Sequence, residues 1–128
     1  MLSKREMFVL AASFLLAAPA VAEENIAWSA AAFDAALKAG RPVLVEVHAP
    51  WCPTCKAQEP ILAAIVKGDA YRDLLVVRVD FDSQKDALKR FGARTQSTLI
   101  VFKGGAEVAR SVGDTDKASL AGLIAKAD

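Results

Sequence analysis

The segment VLVEVHAPWCPTCKAQEPIL, residues 43–62, decides the fold because it joins an apolar strand to a helix through a pair of cysteines. Residues 42–47 are rich in β-branched side chains and almost entirely apolar, as in a strand that is covered on both faces. A helix is expected to begin just beyond it, with Cys52 as the N-cap residue. Pro53 then occupies the first helical position, where a missing backbone N–H costs nothing. The segment therefore predicts a buried strand leading into a helix N-terminus that carries both cysteines.

Hydrophobic periodicity and turn residues place the other elements. Helices are predicted at residues 30–39 between Ser29 and Gly40, at 52–66 with a bend at Pro60, at 83–92 ending at Gly92, and at 116–127. Strands are predicted at 42–47, 74–81, 97–102 and 106–112, with a short further strand at 25–28 left open. Gly104 and Gly105 should join the last two strands in an antiparallel hairpin. Strands separated by helices pair in parallel through right-handed crossovers, so the prediction is an α/β fold with a mixed central sheet of four to five strands and helices on both faces.

The first 22 residues are interpreted as a cleaved secretory signal peptide. Lys4 and Arg5 precede an apolar run at residues 7–18, and Ala20 and Ala22 supply the small residues that a signal peptidase reads. A transmembrane anchor is the alternative, but this run is shorter than the roughly 20 residues that span a bilayer. We expect cleavage after Ala22, a domain of residues 23–128 in the periplasm rather than secreted further, and no membrane insertion of the mature chain.

Charge excludes one class of partner. The chain has 16 basic and 15 acidic side chains, and 14 of each remain after the signal segment is removed. A domain without net positive charge lacks the electrostatic footprint of a nucleic-acid-binding protein, so no nucleic acid is expected as a partner. Export also places the cysteines in an oxidising compartment, where disulfides persist.

Cys52 and Cys55 are the two cysteines of the chain, and three uses of the pair can be weighed. A structural zinc site needs four ligands, whereas the chain offers these two cysteines and His48, which is more simply an ordinary partly buried residue at a strand end. A structural disulfide at this spacing closes a very small loop and would add little stability.

A redox-active pair explains the spacing directly. A helix N-terminus stabilises the thiolate of Cys52, and Cys55 lies one turn away, close enough to resolve a mixed disulfide. Trp51 and Pro53 are expected to restrict access to Cys55 while leaving Cys52 exposed. The pair between a buried strand and a helix, in an exported chain, favours thiol–disulfide exchange.

Glu46 and Arg78 are the ionisable residues that interrupt two otherwise apolar strands. A buried carboxylate is unfavourable unless it is paired, hydrated or protonated. Glu46 is therefore predicted to lie beneath the helix and to exchange protons with Cys55, with Arg78 tuning it. The alternative is that Glu46 lies at the solvated end of its strand or simply pairs with Arg78.

With these features in place, the mature chain resembles the thioredoxin family over nearly its whole length. The matching stretches are VLVEVHAPWCPTCKAQEPIL, RVDFDSQ, RFGARTQSTLIVFKGG and Gly113 before the last helix. The resemblance implies a thioredoxin-like fold and thiol–disulfide exchange on protein substrates. No organic cofactor is implied, and no metal is predicted because the chain offers too few ligands for a structural site. It places Cys52 on the family's nucleophile and Cys55 on its resolving cysteine, the two forming a redox-active disulfide. Glu46 falls on the buried acid, Arg78 on a position that is typically lysine, and Gly113 on a glycine lining the substrate groove.

The chain departs from the family pattern at two places. Ser97 stands where the family has a cis-proline, and because a cis bond before another residue costs roughly 2.5–4 kcal/mol, the Gln96–Ser97 peptide is expected to be trans. Ser97 would leave the dithiol more open to metal or place a hydroxyl beside the thiolate, and Ser97→Pro is expected to alter partner exchange rates. Pro53 and Thr54 separate the cysteines in place of the usual Gly-Pro, a dipeptide that tunes redox poise.

The prediction is a periplasmic oxidoreductase that exchanges disulfides with protein substrates, more as a reductant than as an oxidant because the chain is small and has no inserted helical domain. A reductant in an oxidising compartment needs a membrane electron donor, and an oxidant needs a membrane acceptor. The alternative is a non-catalytic thioredoxin-like binding module that holds a metal or a client protein at the dithiol groove. Trp51, Lys56 and Glu46 favour the enzyme, whereas Ser97 favours the binding module.

Overall fold

The structure is a computed structural model that describes residues 24–128 and, ahead of them, Ser13 alone, so the predicted signal peptide otherwise lies outside the described residues. The strands of the described part are β1 (Glu24–Ala27), β2 (Val43–His48), β3 (Leu75–Asp80), β4 (Thr98–Lys103) and β5 (Ala106–Val112). Its α-helices are α1 (Ala30–Lys38), α2 (Pro53–Val66), α3 (Lys85–Phe91) and α4 (Lys117–Ile124), with short 3₁₀ turns at Asp69–Tyr71 and Ala125–Ala127.

The strands form one mixed sheet in the order β1-β3-β2-β4-β5. β3 pairs in parallel with β1 and β2, whereas β4 runs antiparallel to β2 and β5. Gly104 and Gly105 turn the closing hairpin with φ angles of 60° and 81°, which suit a two-residue hairpin loop and which residues with a β-carbon rarely adopt. The predicted α/β, thioredoxin-like fold is confirmed, and the strand that the sequence left open is present.

Alternation along β2 sends its side chains into two cores, one on each face of the sheet. Val45 packs with Phe33 of α1 on one face. Leu44 packs with Leu62 of α2 on the other. Because successive side chains of a strand point to opposite faces, Glu46 lies on the same face as Leu44, beneath α2.

The start of α3 differs from the prediction by two residues because a side-chain-stabilised turn follows β3. The Asp80 carboxylate accepts hydrogen bonds from the Asp82 N–H at 3.2 Å and the Ser83 hydroxyl at 2.6 Å. The Gln84 side chain accepts from the Asp80 N–H at 2.8 Å. Such Asx turns compete with helix formation, so α3 begins at Lys85. At the other end of the chain, the predicted last helix finishes as a 3₁₀ turn, as helix ends commonly do.

Helix α2 continues past Pro60, so this proline removes one internal hydrogen bond without ending the helix. Among the residues that the structure describes, no helix combines the length and the apolar character needed to cross a membrane.

Candidate active site

Cys52 and Cys55 form a disulfide at the N-terminus of α2. Cys52 is the N-cap residue, and its sulfur accepts a hydrogen bond from the Cys55 N–H at 3.1 Å. Pro53 follows at the start of the helix, as predicted. The two Cα atoms are 5.3 Å apart, within the usual range for disulfides. The fold thus places a sulfur where the free N–H groups of a helix stabilise negative charge.

Both cysteines are closed off from solvent, with exposed fractions of 1% for Cys52 and 3% for Cys55. They pack against Ala49 and the side chain of Phe81. The prediction that Cys52 is exposed is therefore wrong for this oxidised state. The reason is the tight connection between β2 and α2, in which the Cys52 N–H donates to the Ala49 carbonyl at 3.1 Å and draws the cysteine against these apolar side chains.

Trp51 lies at the surface beside the disulfide. Its indole N–H donates to the Asp82 carboxylate at 2.8 Å, and its ring meets the edge of Phe81. Trp51 therefore ties the start of α2 to the turn after β3. The other motif residues are exposed or partly exposed: Pro53, Thr54 and Lys56.

Glu46 lies on β2 with 15% of its side chain exposed, next to Arg78 on β3. A guanidinium nitrogen of Arg78 is 3.5 Å from a carboxylate oxygen of Glu46. Burial raises the pKa of the Glu46 carboxyl above its ordinary value, and the positive charge of Arg78 opposes part of that rise. Glu46 thus lies beneath the active-site helix and also pairs with Arg78, whose side chain is 46% exposed.

A second acid and a histidine extend this pair. One carboxylate oxygen of Glu59, on α2, is 3.2 Å from the Arg78 guanidinium and 3.0 Å from Nε2 of His48. His48 is partly buried, as expected, but it has a carboxylate partner that was not identified from the sequence. The result is a row of contacts in the order His48, Glu59, Arg78 and Glu46.

Glu46 also borders two spaces in the structure. A cavity of about 10 Å³ is lined by both Glu46 and Cys55, and it offers about the space that one water molecule needs. A larger open pocket of about 530 Å³ is lined by Glu46, Arg78 and Asp80. Glu46 therefore connects the surroundings of Cys55 with solvent-accessible space.

Ser97 lies beside the disulfide, just before β4. Its φ of 58° places it in the left-handed region, and it is the one described residue other than glycine with a positive φ. The described part of the chain contains no cis peptide bond, so the expected trans geometry of Gln96–Ser97 is confirmed. Ser97 is 5% exposed, and its hydroxyl oxygen is 3.9 Å from the Cys52 sulfur.

Gln58 holds the loops around Ser97 together. It is buried on the same face of α2 as Cys55. Its side-chain NH₂ group donates to the Asp114 carbonyl at 2.8 Å and to the Ser97 carbonyl at 3.4 Å. The N–H of Gly113, which has a φ of 70°, donates to the same Ser97 carbonyl at 3.0 Å.

Three residues of this site were not identified from the sequence: Gln58, Glu59 and Asp82. The sequence does indicate a role for Gln58, because this residue follows Cys55 by three positions and so occupies the buried helix face, where a polar side chain needs a hydrogen-bond partner. It does not indicate one for Glu59 or Asp82, since their partners are distant in sequence. Among the described residues, no group of three or more His, Cys, Asp or Glu side chains could hold a metal ion.

Comparison with known proteins identifies the family. The family model described as Thioredoxin matches residues 24–126. The thioredoxin of Chlamydia muridarum is 42% identical over 84 residues, which cover 66% of this chain and 80% of that protein. The thioredoxin of Pseudomonas aeruginosa is 36% identical over 88 residues, covering 69% and 81%. The crystal structure of Trxlp from Edwardsiella tarda superimposes with a TM-score of 0.76 at 46% identity, covering 77% of this chain and 96% of that one.

The chain belongs to the thioredoxin family. It is a thiol–disulfide oxidoreductase of that family, with the Cys52–Cys55 pair preceded by Trp51, and thioredoxins act on protein disulfides.

Proposed function

We propose that this chain is an exported reductant of protein disulfides in the periplasm. The observation that carries the chemistry is the position of Cys52 at the N-terminus of α2, where its sulfur accepts the Cys55 N–H at 3.1 Å. This position favours a thiolate at Cys52, which then acts as the nucleophile. Cys55 resolves the intermediate, and Glu46 accepts its proton.

The reaction has two exchange steps. The Cys52 thiolate attacks one sulfur of a substrate disulfide and forms a mixed disulfide, while the other substrate sulfur leaves as a thiolate and takes up a proton. The Cys55 thiol then gives its proton to the Glu46 carboxylate and attacks the Cys52 sulfur. This closes the Cys52–Cys55 disulfide and releases the second substrate sulfur, which is protonated in turn. Two electrons pass to the substrate, whose disulfide becomes two thiols.

The environment of Glu46 supports its role in the second step. A raised pKa makes the carboxylate a stronger proton acceptor, since its proton affinity is closer to the working pH. Arg78 keeps the ionised form accessible, and the pocket beside Glu46 offers a route by which the proton reaches solvent.

Trp51 precedes the disulfide, Ser97 contacts the Cys52 sulfur, and Gly113 donates its N–H to the Ser97 carbonyl. These three residues are proposed to form the substrate groove. Pro53, Thr54 and Lys56, which are exposed or partly exposed at the start of α2, are proposed to tune the redox equilibrium and substrate contacts.

Export is supported by the sequence of residues 1–22, with cleavage proposed after Ala22. In the periplasm the oxidised pair must be reduced again after each turnover. A membrane-bound dithiol is the proposed electron donor, which becomes a disulfide as Cys52–Cys55 returns to the dithiol.

The activity is tested by the reduction of insulin with dithiothreitol as the terminal electron source. We expect turnover by the mature protein, none by Cys52→Ser, and a trapped mixed disulfide with Cys55→Ser. Metal content is measured on the same preparations. A folded wild-type protein that does not turn over insulin would contradict the enzyme and favour the binding module that holds a metal or a client.

Location is tested by expressing the full chain in a bacterium and recovering the periplasmic fraction. We expect a product that begins at Glu23 by mass spectrometry. Leu15→Arg, which interrupts the apolar run, should abolish export. An uncleaved product in the cytoplasm would refute the proposed location while leaving the redox chemistry open.

A further inference from the structure

Ser97 has three polar groups, and two of them, its backbone N–H and carbonyl, are already hydrogen-bonded. Its N–H donates to the Val47 carbonyl at 2.8 Å. Its carbonyl accepts from the Gly113 N–H at 3.0 Å and from the Gln58 side chain at 3.4 Å. The hydroxyl is the group that remains, and it contacts the Cys52 sulfur at 3.9 Å.

The backbone of Ser97 sets the direction of this hydroxyl. A residue with a β-carbon in the left-handed region costs roughly 1–2 kcal/mol, which a glycine avoids. The three hydrogen bonds to the Ser97 backbone hold it in that region, with a φ of 58°. The chain therefore keeps a hydroxyl-bearing residue in a conformation that glycine would adopt more easily.

The chemistry of the neighbouring sulfur changes with its oxidation state. A disulfide sulfur is a weak hydrogen-bond acceptor, whereas a thiolate is a strong, charged one. Cys52 is 1% exposed in the oxidised structure. A thiolate formed at this position would receive little solvation from water, and burial alone would favour the neutral thiol. The Cys55 N–H supplies one compensating donor at 3.1 Å, and the Ser97 hydroxyl is placed to supply another.

We propose that the Ser97 hydroxyl donates a hydrogen bond to the Cys52 thiolate of the reduced protein and is therefore a catalytic residue of this oxidoreductase. The proposal rests on the proposed function in one respect, the use of Cys52 as the nucleophile. No bond to Ser97 is made or broken. When the disulfide takes up two electrons and a proton, the proton goes to Cys55 and the negative charge stays on Cys52, towards which the hydroxyl turns.

This hydrogen bond has two consequences. It raises the fraction of Cys52 that is ionised near neutral pH, so more of the buried sulfur is a competent nucleophile. It also stabilises the reduced protein relative to the oxidised one, because its full strength exists only in the thiolate state. Loss of the hydroxyl is expected to change the dithiol–disulfide equilibrium constant by about tenfold, equivalent to about 30 mV for a two-electron couple.

The test compares Ser97→Ala and Ser97→Gly with Ser111→Ala. Both Ser97 variants remove the hydroxyl, and the glycine variant also removes the left-handed penalty, which separates the hydroxyl from backbone strain. Ser111 is a matched control, since its hydroxyl oxygen is buried and has no hydrogen-bond partner among the residues that the structure describes. Two quantities are measured on the exported protein: thiolate absorbance against pH in the reduced state, and the disulfide fraction in glutathione buffers.

Both Ser97 variants should ionise Cys52 at higher pH than the wild type and show a disulfide-to-dithiol ratio about tenfold higher in the same glutathione buffer. Ser111→Ala should match the wild type in both measurements. If the alanine variant does not fold, the glycine variant alone decides the outcome. Wild-type values in the Ser97 variants would overturn the proposal while leaving the oxidoreductase intact. A wild-type protein that does not equilibrate with glutathione would overturn the proposed function as well.

Discussion

At the residue scale, the largely buried carboxyl of Glu46 links its proposed catalytic role to stability. Burial raises its pKa in the folded chain above the unfolded value of about 4.5, so the folded chain binds this proton more tightly. Its stabilising contribution is therefore fully present below the unfolded pKa and is lost as pH rises through the folded pKa. The same burial that makes Glu46 a stronger proton acceptor thus makes the folded protein less stable towards neutral pH.

Glu46→Gln should separate these two effects. We expect the variant to gain on the order of 5 °C in Tm at neutral pH, with the gain vanishing below the unfolded pKa of the acid. We also expect insulin reduction to fall by at least about tenfold because the proposed proton acceptor for Cys55 is lost. Thermal unfolding across pH and steady-state turnover measure the two quantities.

Glu59→Gln is the matched control, since Glu59 contacts the same Arg78 but is far more exposed than Glu46. It should show neither the pH-dependent gain in Tm nor the loss of turnover. A Glu46→Gln variant whose Tm follows that of the wild type at every pH would contradict the destabilising role of this carboxylate.

Two hydroxyl groups on neighbouring strands make opposite predictions for stability. Within the described part of the chain the buried Ser111 oxygen has no hydrogen-bond partner, so Ser111→Ala should raise the free energy of unfolding by about 1 kcal/mol. The Thr98 hydroxyl donates to the Thr95 carbonyl at 2.8 Å, so Thr98→Val should lower it by about 1 kcal/mol. Denaturant unfolding compares the two, and an equal loss in both variants would show that Ser111 is hydrogen-bonded in solution.

Single residues differ in how much their sequence context reveals. Cys52, Cys55 and Glu46 stand out because each breaks or completes a local pattern, a helix start or an apolar strand. The conformation of Ser97 could not be predicted, since its φ is fixed by hydrogen bonds to residues far away in the chain, Val47 and Gly113. The burial of Cys52 was wrongly predicted because the tight turn after β2 brings this cysteine against Phe81, which is distant in sequence.

At the element scale, α2 supports the loops around the disulfide through Gln58. Gln58→Leu should lower the free energy of unfolding by about 1–3 kcal/mol, because the Asp114 carbonyl loses a partly buried hydrogen bond. The Ser97 carbonyl keeps its bond from Gly113, so the fold should persist with a looser loop. Denaturant unfolding and hydrogen exchange of the Gly113 N–H measure these changes.

A positioning role for Gln58 has its own readout, the ionisation of Cys52. In Gln58→Leu the Cys52 thiol should ionise at a pH between those of the wild type and Ser97→Ala, because the hydroxyl is less firmly directed. Ala57→Leu adds a leucine at an exposed site of the same helix and should change neither quantity. A variant that loses stability while Cys52 ionises as in the wild type would limit Gln58 to a structural role.

Most helices and strands could be predicted because their ends carry local signals. Ser29 caps α1 by accepting the Ala32 N–H at 3.2 Å, and Gly92 ends α3 with a φ of 61°. The first residue of α3 could not be predicted, since a turn stabilised by the side chains of Asp80 and Gln84 replaces the expected first helical residues. Periodicity reports on hydrophobic burial and carries no information on such polar turns.

At the scale of the whole molecule, the strand pairing could be predicted from the kinds of connection between strands, whereas the contacts among the charged side chains could not. Helical crossovers dictate the parallel pairs and the glycine hairpin dictates the antiparallel edge, so the mixed sheet could be predicted. The contacts of Glu59 with His48 and Arg78 join three elements across the molecule. They depend on how α2 lies over the sheet, which pattern alone does not specify.

The stability of the whole molecule in its two redox states reports the direction of electron flow. Oxidation and unfolding form a thermodynamic cycle, so the difference in unfolding free energy between oxidised and reduced protein equals the difference in disulfide stability between folded and unfolded chain. The loop between the two cysteines is very short, so the cross-link itself adds little to this difference. The folded environment of the pair therefore dominates it.

For the proposed reductant, the oxidised protein should be more stable to unfolding than the reduced protein. The difference in unfolding free energy should be about 1.4 kcal/mol for each 30 mV by which the reduction potential of the cysteine pair is lower in the folded than in the unfolded chain. Guanidinium unfolding of both forms measures this gap. Ser97→Ala should widen it by about 1.4 kcal/mol, because the hydroxyl stabilises the reduced form alone and its loss changes the equilibrium constant about tenfold. A reduced form more stable than the oxidised one would instead identify a disulfide donor, since strong oxidants of this kind owe their potential to a stabilised reduced state.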